Sequence, residues 1–279
     1  MKSFLKISVT IPEENYLTLS EWTADQDGFL GLEEGFDQMT LYFTDQEPVT
    51  QMVTDWLDAQ RHAGLISSYQ IDSLPDQNWN GLWESEIKPI IIDDFFCIYP
   101  GWSPPGQTWP VSIRIDPKMS FGTGYHETTR LMLRALRGLN LTGKPVLDCG
   151  TGTGVLAIAA LKLGSPQVMA FDIDEWSVKN TRENLELNGI SEQLSLREGD
   201  FSIVRGTGPY PVILSNVNRV IHLQEVDFYQ THLQPGGILL ISGLLSTDET
   251  SIRKAFQDAG FSLLRVLQEN EWIAMEWTR

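Results

Sequence analysis

An α/β protein is predicted, and three observations predict it. Beyond about residue 111 short apolar runs alternate with helical periodicity, the pattern of βα units that build a mostly parallel sheet. The last two apolar runs, Phe261–Leu267 and Trp272–Trp277, are separated only by Gln268–Glu271. That link is too short for a crossover helix, so these two strands form an antiparallel hairpin. The first 75 residues carry a different order, β-α-β-β-α-β, which is the split pattern of a ferredoxin-like α+β unit.

The elements follow in chain order. Phe4–Val9 alternates with period two, as a half-buried strand does. Glu13–Ala24 sets Tyr16, Leu17, Leu19 and Trp22 at the spacing of one helical face. Phe29–Leu32 and Met39–Phe43 read as strands around a Gly- and acid-rich turn. Val49–Ala63 repeats Met52, Val53, Trp56 and Leu57 on one side, with Gly64 placed to end the helix. Tyr69–Ile71 closes the unit. Residues 76–110, with Trp79, Trp83, Trp102, Trp109 and five prolines, read as a stiff joint. In residues 111–279 the strands are Val146–Cys149, Val168–Asp172, Leu194–Glu198, Val212–Asn216 and Ile238–Gly243, followed by the hairpin. Helices fall at His126–Arg137, Val155–Leu163, Glu175–Asn188, Val220–Leu233 and Thr247–Ala259.

Composition narrows the function. The chain of 279 residues is 42% hydrophobic and 20% charged, enough apolar material for a packed core. Twenty Lys and Arg stand against 37 Asp and Glu, a formal charge of −17. Such a surface repels phosphate backbones, which argues against direct nucleic-acid binding, and it attracts basic partners. Acidity for solubility alone is the plainer reading. Two cysteines, Cys97 and Cys149, exclude a disulfide scaffold and a cysteine-rich zinc site. No window approaches 18 consecutive apolar residues, and Met1–Lys6 lacks the apolar run of a secretory signal. The expectation is a soluble, cytoplasmic protein with no metal. Nothing in the sequence bears on oligomeric state.

The strongest local motif is Val146-Leu147-Asp148-Cys149-Gly150-Thr151-Gly152-Thr153-Gly154, a glycine loop leaving a buried strand and entering a helix. Glycine lets backbone approach a ligand, and a helix start offers free N–H groups. Asp172 ends the next strand, where a carboxylate accepts both hydroxyls of a ribose. The spacing G-x-G-x-G differs from the dinucleotide G-x-G-x-x-G, which disfavours a nicotinamide oxidoreductase. A tight βα turn with no ligand is the structural alternative. Asn216 closes its strand in Ser215-Asn216-Val217-Asn218, where an amide can orient an amine; a turn Asn is the alternative. Asp200, in Gly199-Asp200-Phe201, is equally readable as an adenine neighbour or a turn residue. His126 reads as a structural hydrogen-bonder, since nothing pairs it with a carboxylate.

The glycine loop and Asp172 together resemble the Rossmann-like S-adenosylmethionine-dependent methyltransferases. A second loop, Asp116-Pro117-Lys118-Met119-Ser120-Phe121-Gly122-Thr123-Gly124-Tyr125-His126-Glu127-Thr128-Thr129, makes the likeness specific. It resembles the signature D-P-G-x-A-F-G-T-G-T-H-P-T-T of the ribosomal protein L-eleven (L11) methyltransferase family, PrmA. Asn78-Trp79-x-x-x-Trp83, Pro100-x-Trp102, Arg182-Glu183-Asn184, Asn188-Gly189, Ser242-Gly243-Leu244-Leu245 and Glu271-Trp272-x-Ala274 agree as well, so the likeness covers almost the whole chain. It implies a seven-strand methyltransferase domain at 111–279 and a substrate-recognition domain at 1–75. It also implies S-adenosylmethionine as cofactor and L11 as a basic protein substrate, methylated on lysine or N-terminal amines.

By the same resemblance Thr129, Gly150, Asp172 and Asn216 hold the cofactor, with Gly152, Thr123 and Gly124 beside them and Asn216 also orienting the amine. Thr129, preceded by Thr128, is expected to cap its helix. The chain departs from the family at Met119, Ser120, Tyr125, Glu127, Asn218 and Arg219, near the expected substrate entrance. A methyltransferase of the same fold acting on another protein or a small amine therefore stands as an alternative, with a non-catalytic binding module behind it.

Overall fold

A computed structural model describes residues 3–12, 15–24, 26–35, 38–75, 88–116, 118 and 120–279. The chain divides into two compact units, Met1–Glu86 and Ile87–Arg279. Pro117, Met119, Asn78, Trp79, Trp83 and the expected helix start at Glu13 lie outside the described residues.

The first unit runs β1 (Ser3–Thr10), α1 (Tyr16–Ala24), β2 (Phe29–Gly35), β3 (Gln38–Thr44), α2 (Glu47–His62) and β4 (Ser68–Pro75). Its sheet has the order β2-β3-β1-β4, with all three pairings antiparallel. This is the ferredoxin-like arrangement the element order predicts. Leu5, Ile7 and Val9 alternate inward from β1 and are buried with Met39, Leu41 and Phe43 of β3. Each such side chain stabilises the fold by about 1.5–3 kcal/mol when fully buried. The Trp22 and Trp56 rings stack at 3.8 Å, locking α1 to α2.

The second unit begins earlier than the motif pattern suggests. Residues 76–110 are expected to be a stiff joint whose Ile90–Ile92 run packs on its neighbours; in its described part β5 (Ile90–Ile92) and β6 (Phe96–Tyr99) pair antiparallel, and β6 pairs in parallel with β7 (Val111–Arg114). Ile92, Phe96, Ile98 and Ile113 are buried in the same core as the helices that follow, so burial, not proline stiffness, fixes this stretch.

Next come α3 (Glu127–Arg137), β8 (Val146–Cys149), α4 (Val155–Lys162), β9 (Val168–Asp172), α5 (Glu175–Leu187) and β10 (Leu194–Glu198). Then follow β11 (Tyr210–Asn216), α6 (Arg219–Gln224), α7 (Val226–His232), β12 (Leu233–Leu245), α8 (Glu249–Asp258), β13 (Ser262–Glu269) and β14 (Trp272–Thr278). The single helix expected at 220–233 is two, broken at Glu225.

The large sheet has the order β10-β9-β8-β11-β12-β14-β13. Its first five strands are parallel, and β13 and β14 form the expected antiparallel hairpin. Both faces are covered, so the central strands are mostly apolar, with Asp148 in β8 and Ser215 in β11 as buried exceptions. Val212 and Leu214 of β11 face the core under α3 and α4, whereas Ile213 faces the aromatic core with Tyr229 and Phe256. Strand order reverses between β8 and β11. Loops leaving the carboxyl ends of these neighbours turn in opposite directions and open a crevice, the place where α/β sheets bind ligands.

Candidate active site

Three loops meet at that crevice. The first leaves β8, and its course is set by left-handed glycines: Gly150 at φ 70° and Gly152 at φ 58°. The Gly150 and Thr151 amides both donate to the Phe171 carbonyl at 3.0 Å, tying the loop to β9. The second loop carries Phe121 and Gly122 against the first. The Thr153 amide donates to the Phe121 carbonyl at 2.8 Å, and the Thr153 hydroxyl donates to the Gly122 carbonyl at 2.7 Å. A Cβ on Gly152 would stand 2.3 Å from the Phe121 carbonyl oxygen, so no other residue fits between the loops. The third is the Asn216–Asn218 turn between β11 and α6.

A ladder of amides on α5 holds the second loop's root. Asn188 Oδ1 accepts from the Arg114 amide at 3.1 Å, and Asn184 Oδ1 accepts from the Asp116 amide at 3.0 Å. Asn184 Nδ2 also donates to the Thr153 carbonyl at 2.9 Å. The four-residue spacing puts both side chains on one helical face. These are the asparagines of the sequence motifs, and their contacts are structural.

The crevice is a cavity of about 580 Å³. Thr129, Gly150, Gly152, Asp172, Asp200 and Asn216 all line it, although they come from five separate stretches of chain. Thr123 and Gly124 do not. Gly124 turns at φ 92° against Ile98 and Ile90, and the part of that loop facing the cavity is Phe121 and Gly122. The sequence reading also missed Ile221, Gln224 and Glu225 on the wall; the break between α6 and α7 that brings Glu225 there has no local sequence signal.

Polar chemistry in the cavity is uneven. Thr129 is fully buried and its hydroxyl has no hydrogen-bond partner among the described residues; the same holds for Asn216 Oδ1. Buried polar atoms are rarely left so, and two on residues that line one cavity mark a place where a polar ligand fits. Asp172 is partly used: Oδ2 accepts from the Gly152 amide at 2.8 Å and Oδ1 from the Asp174 amide at 3.0 Å. An ionised carboxylate still has acceptor capacity beyond these two bonds. Asp200 accepts from the Ser202 amide at 2.8 Å, and hydrogen bonding from the Ser202 side chain and then from its amide holds the carboxyl below the usual range. Asp172, Asp200 and Glu225 contribute carboxylates, while no lysine, arginine or histidine among the described residues lines the cavity. Phe171, Ile173, Phe201 and Leu156 supply apolar wall.

The family model for ribosomal protein L11 methyltransferase (PrmA) matches residues 5–279. The chain belongs to that family. A ribosomal protein L11 methyltransferase of Porphyromonas gingivalis is 35% identical over 252 residues, covering 90% of this chain and 87% of the other. One from Bacteroides fragilis is 37% identical over 211 residues, 75% of each chain. The crystal structure of ribosomal protein L11 methylase from Lactobacillus delbrueckii subsp. bulgaricus superposes with a TM-score of 0.65 at 29% identity, covering 69% of this chain and 99% of that one.

Within this PrmA-family chain, the departures at Tyr125, Glu127, Asn218 and Arg219 have local structural roles. The Tyr125 hydroxyl donates to the Lys88 carbonyl at 2.9 Å and accepts from the Lys88 amide at 2.7 Å. Glu127 accepts from Asn270 Nδ2 at 3.0 Å, and its own helix-start amide, followed by Asn270, lowers its pKa. Asn218 Oδ1 accepts from the Ile221 amide at 3.1 Å and caps α6, and Arg219 pairs with Asp248 at 3.3 Å. The expected threonine cap of α3 is not formed. His126 is the N-cap, its Nδ1 accepting from the Thr128 amide, which leaves the Thr129 hydroxyl without a capping bond.

Proposed function

We propose that this methyltransferase transfers methyl groups from S-adenosylmethionine to lysine or N-terminal amines of ribosomal protein L11. One observation carries the reading: a single cavity gathers the glycine loop, the strand-end Asp172 and two buried, unpartnered oxygens, on Thr129 and Asn216, with no cationic side chain among them. S-Adenosylmethionine supplies, when bound, a methyl group on a positively charged sulfur. The residues present fit it. Gly150 and Gly152 admit close backbone approach, and the remaining lone pairs of Asp172 suit ribose hydroxyls. Thr129 suits the amino-acid end, and the apolar wall by Phe171, Ile173 and Phe201 suits a flat base. Three wall carboxylates favour a cation.

Amine methylation is an in-line displacement, so alignment supplies most of the acceleration. The nucleophile is a neutral amine, whereas lysine has a pKa of about 10.4 and an α-amine about 7.7–8.0. Apolar walls disfavour the ammonium form. Asn216 Oδ1 accepts an N–H from the substrate amine and fixes the direction of its lone pair. A ribosomal protein is basic and this chain carries −17, so long-range attraction speeds encounter and weakens as salt rises. The ferredoxin-like unit presents the substrate, and the reaction belongs in the cytoplasm, where ribosomal proteins are reachable before assembly. No helix among the described residues is long and apolar enough to cross a membrane.

Mass spectrometry of L11 after incubation with the purified enzyme and S-adenosylmethionine tests the reading. Gains in steps of one methyl mass on lysine or N-terminal amines are the expected result. Cofactor binding without any gain rejects L11 and leaves a methyltransferase for another protein or a small amine. No cofactor binding rejects the assignment of the cavity.

A further inference from the structure

Directly behind Asn216 lies a chain of buried polar groups that the proposed chemistry does not use. Ser215, His222, Tyr229 and Ser242 are all fully buried. The Ser215 hydroxyl lies 2.9 Å from the Tyr229 hydroxyl, which lies 3.2 Å from His222 Nδ1. His222 Nε2 lies 2.8 Å from the Ser242 carbonyl oxygen. Burial pushes the imidazole pKa down to about 4, against the pull of the Ser242 and Val217 carbonyls, so the ring is neutral.

A neutral imidazole has one N–H, and Nε2 faces the Ser242 carbonyl, which can only accept. The N–H is therefore on Nε2, and Nδ1 accepts. Tyr229 must donate to Nδ1, which obliges its oxygen to accept from Ser215. With that tautomer each donor has an acceptor: Ser215 donates to Tyr229, Tyr229 to His222, and His222 to Ser242.

The anchor points bracket one residue. Ser215 precedes Asn216, and Ser242 is the register partner of Asn216 on β12. Val217, whose carbonyl also lies beside the imidazole, follows it. The same turn crosses Gly243 so closely that a Cβ there would stand 2.1 Å from the Val217 carbonyl oxygen. The backbone on both sides of Asn216 is thus held by α6, α7 and β12 together, while the Asn216 side-chain oxygen is buried without a partner and Asn216 itself lines the cavity.

We propose that Ser215, Tyr229 and His222 are positioning residues that form a buried clamp fixing the aim of Asn216, and so the alignment of the substrate amine. This rests on the reading of Asn216 given above. The test uses the full-length enzyme, L11 and saturating S-adenosylmethionine, with single-turnover methylation, calorimetric cofactor affinity and thermal midpoint measured on each variant. Tyr229→Phe keeps the ring against Phe201 and Phe256 and removes the central hydroxyl.

Its rate should fall about tenfold to hundredfold while cofactor affinity stays within about twofold, because misalignment costs rate before it costs binding. In an Asn216→Ala background Tyr229→Phe should cost nothing more. His222→Gln, which still offers an N–H toward Ser242, should keep more of the rate than His222→Ala. If Tyr229→Phe does not fold, Ser215→Ala is read the same way. Wild-type turnover in Tyr229→Phe beside a slow Asn216→Ala removes the clamp alone, whatever happens to the melting temperature. So does a full multiplicative loss in the double variant. Wild-type turnover in Asn216→Ala removes the reading of Asn216 and the clamp with it.

Discussion

Two buried polar groups stand behind the cavity at the ends of the neighbouring strands β8 and β11, and they are opposites. Behind Asn216, His222 sits in a chain where each donor meets an acceptor. Behind Gly150, Asp148 is equally buried, but only Oδ2 is bonded, by the Thr151 hydroxyl at 2.7 Å; Oδ1 has no partner among the described residues. Burial drives Asp148 up to about 7, with the charge of Asp172 adding to it, and Thr151 and the nearby Ala157 amide pull it back only in part. The comparison teaches a division of labour. The β11 end is a closed polar unit suited to holding one side chain still, while the β8 end leaves an acid unsatisfied beneath a loop that lines the cavity.

The most severe way to break the β11 side is to remove what the clamp holds. Asn216→Ala should lower single-turnover methylation about a hundredfold, the scale of a lost alignment. A rate close to wild type would leave the turn after β11 without a chemical role. On the β8 side, Asp172→Ala removes acceptors for the ribose and the bond that steadies the Gly152 amide. Hydrogen bonds to a charged group contribute about 1.5–3 kcal/mol, so S-adenosylmethionine affinity should weaken about tenfold to hundredfold. Calorimetry reads this directly, and an unchanged dissociation constant would dismiss Asp172 as a ligand.

Titration sharpens the contrast because the two buried groups pull stability in opposite directions. Asp148 is raised, so the folded state holds a proton that the unfolded state releases above the ordinary carboxylate value of 3.8. Its contribution therefore falls as pH rises from about 4 to 7. His222 is lowered, so the unfolded state takes up a proton near 6.5 that the folded state refuses until about 4. Its contribution is lost as pH falls across that window. Each slope reaches at most about 1.36 kcal/mol per pH unit, and between about 4 and 6.5 they largely offset one another. Urea unfolding across that range should show the stability of Asp148→Asn, relative to wild type, climbing with pH. For His222→Gln the same difference should decline with rising pH. A flat difference for Asp148→Asn would mean that its carboxyl titrates alike folded and unfolded.

How far each side was legible follows from how local its signals are. The glycine loop, Asp172 and Asn216 announce themselves because a strand, its final polar residue and the next turn are contiguous in sequence. The order β-α-β-β-α-β and the terminal hairpin are legible for the same reason. The sheet of β5, β6 and β7 was not: its strands are three or four residues long, interrupted by Trp- and Pro-rich turns, and held by burial against helices far along the chain. Ser215, His222, Tyr229 and Ser242 are separated by 7–20 residues and meet only through packing. His126 was rightly read as a structural hydrogen-bonder, but the cap it forms displaced the one expected from the threonines after it.

The smallest effects decide whether the turn after Asn216 selects the substrate. Asn218 and Arg219 depart from the family pattern at the cavity mouth, yet their bonds point inward to the protein: one caps α6, the helix that carries His222, and the other pairs with Asp248. Losing the cap should cost about 1 kcal/mol, so Asn218→Ala lowers the thermal midpoint by a few degrees. The Arg219 pair is partly exposed and screened, and Arg219→Ala should shift stability by less than about 1 kcal/mol and leave turnover on L11 unchanged. If Arg219→Ala instead slows methylation of L11 with cofactor affinity intact, the guanidinium reaches the substrate. The departures would then be marks of specificity, and the contrast between the two strand ends would extend from a clamp to a reader of the incoming protein.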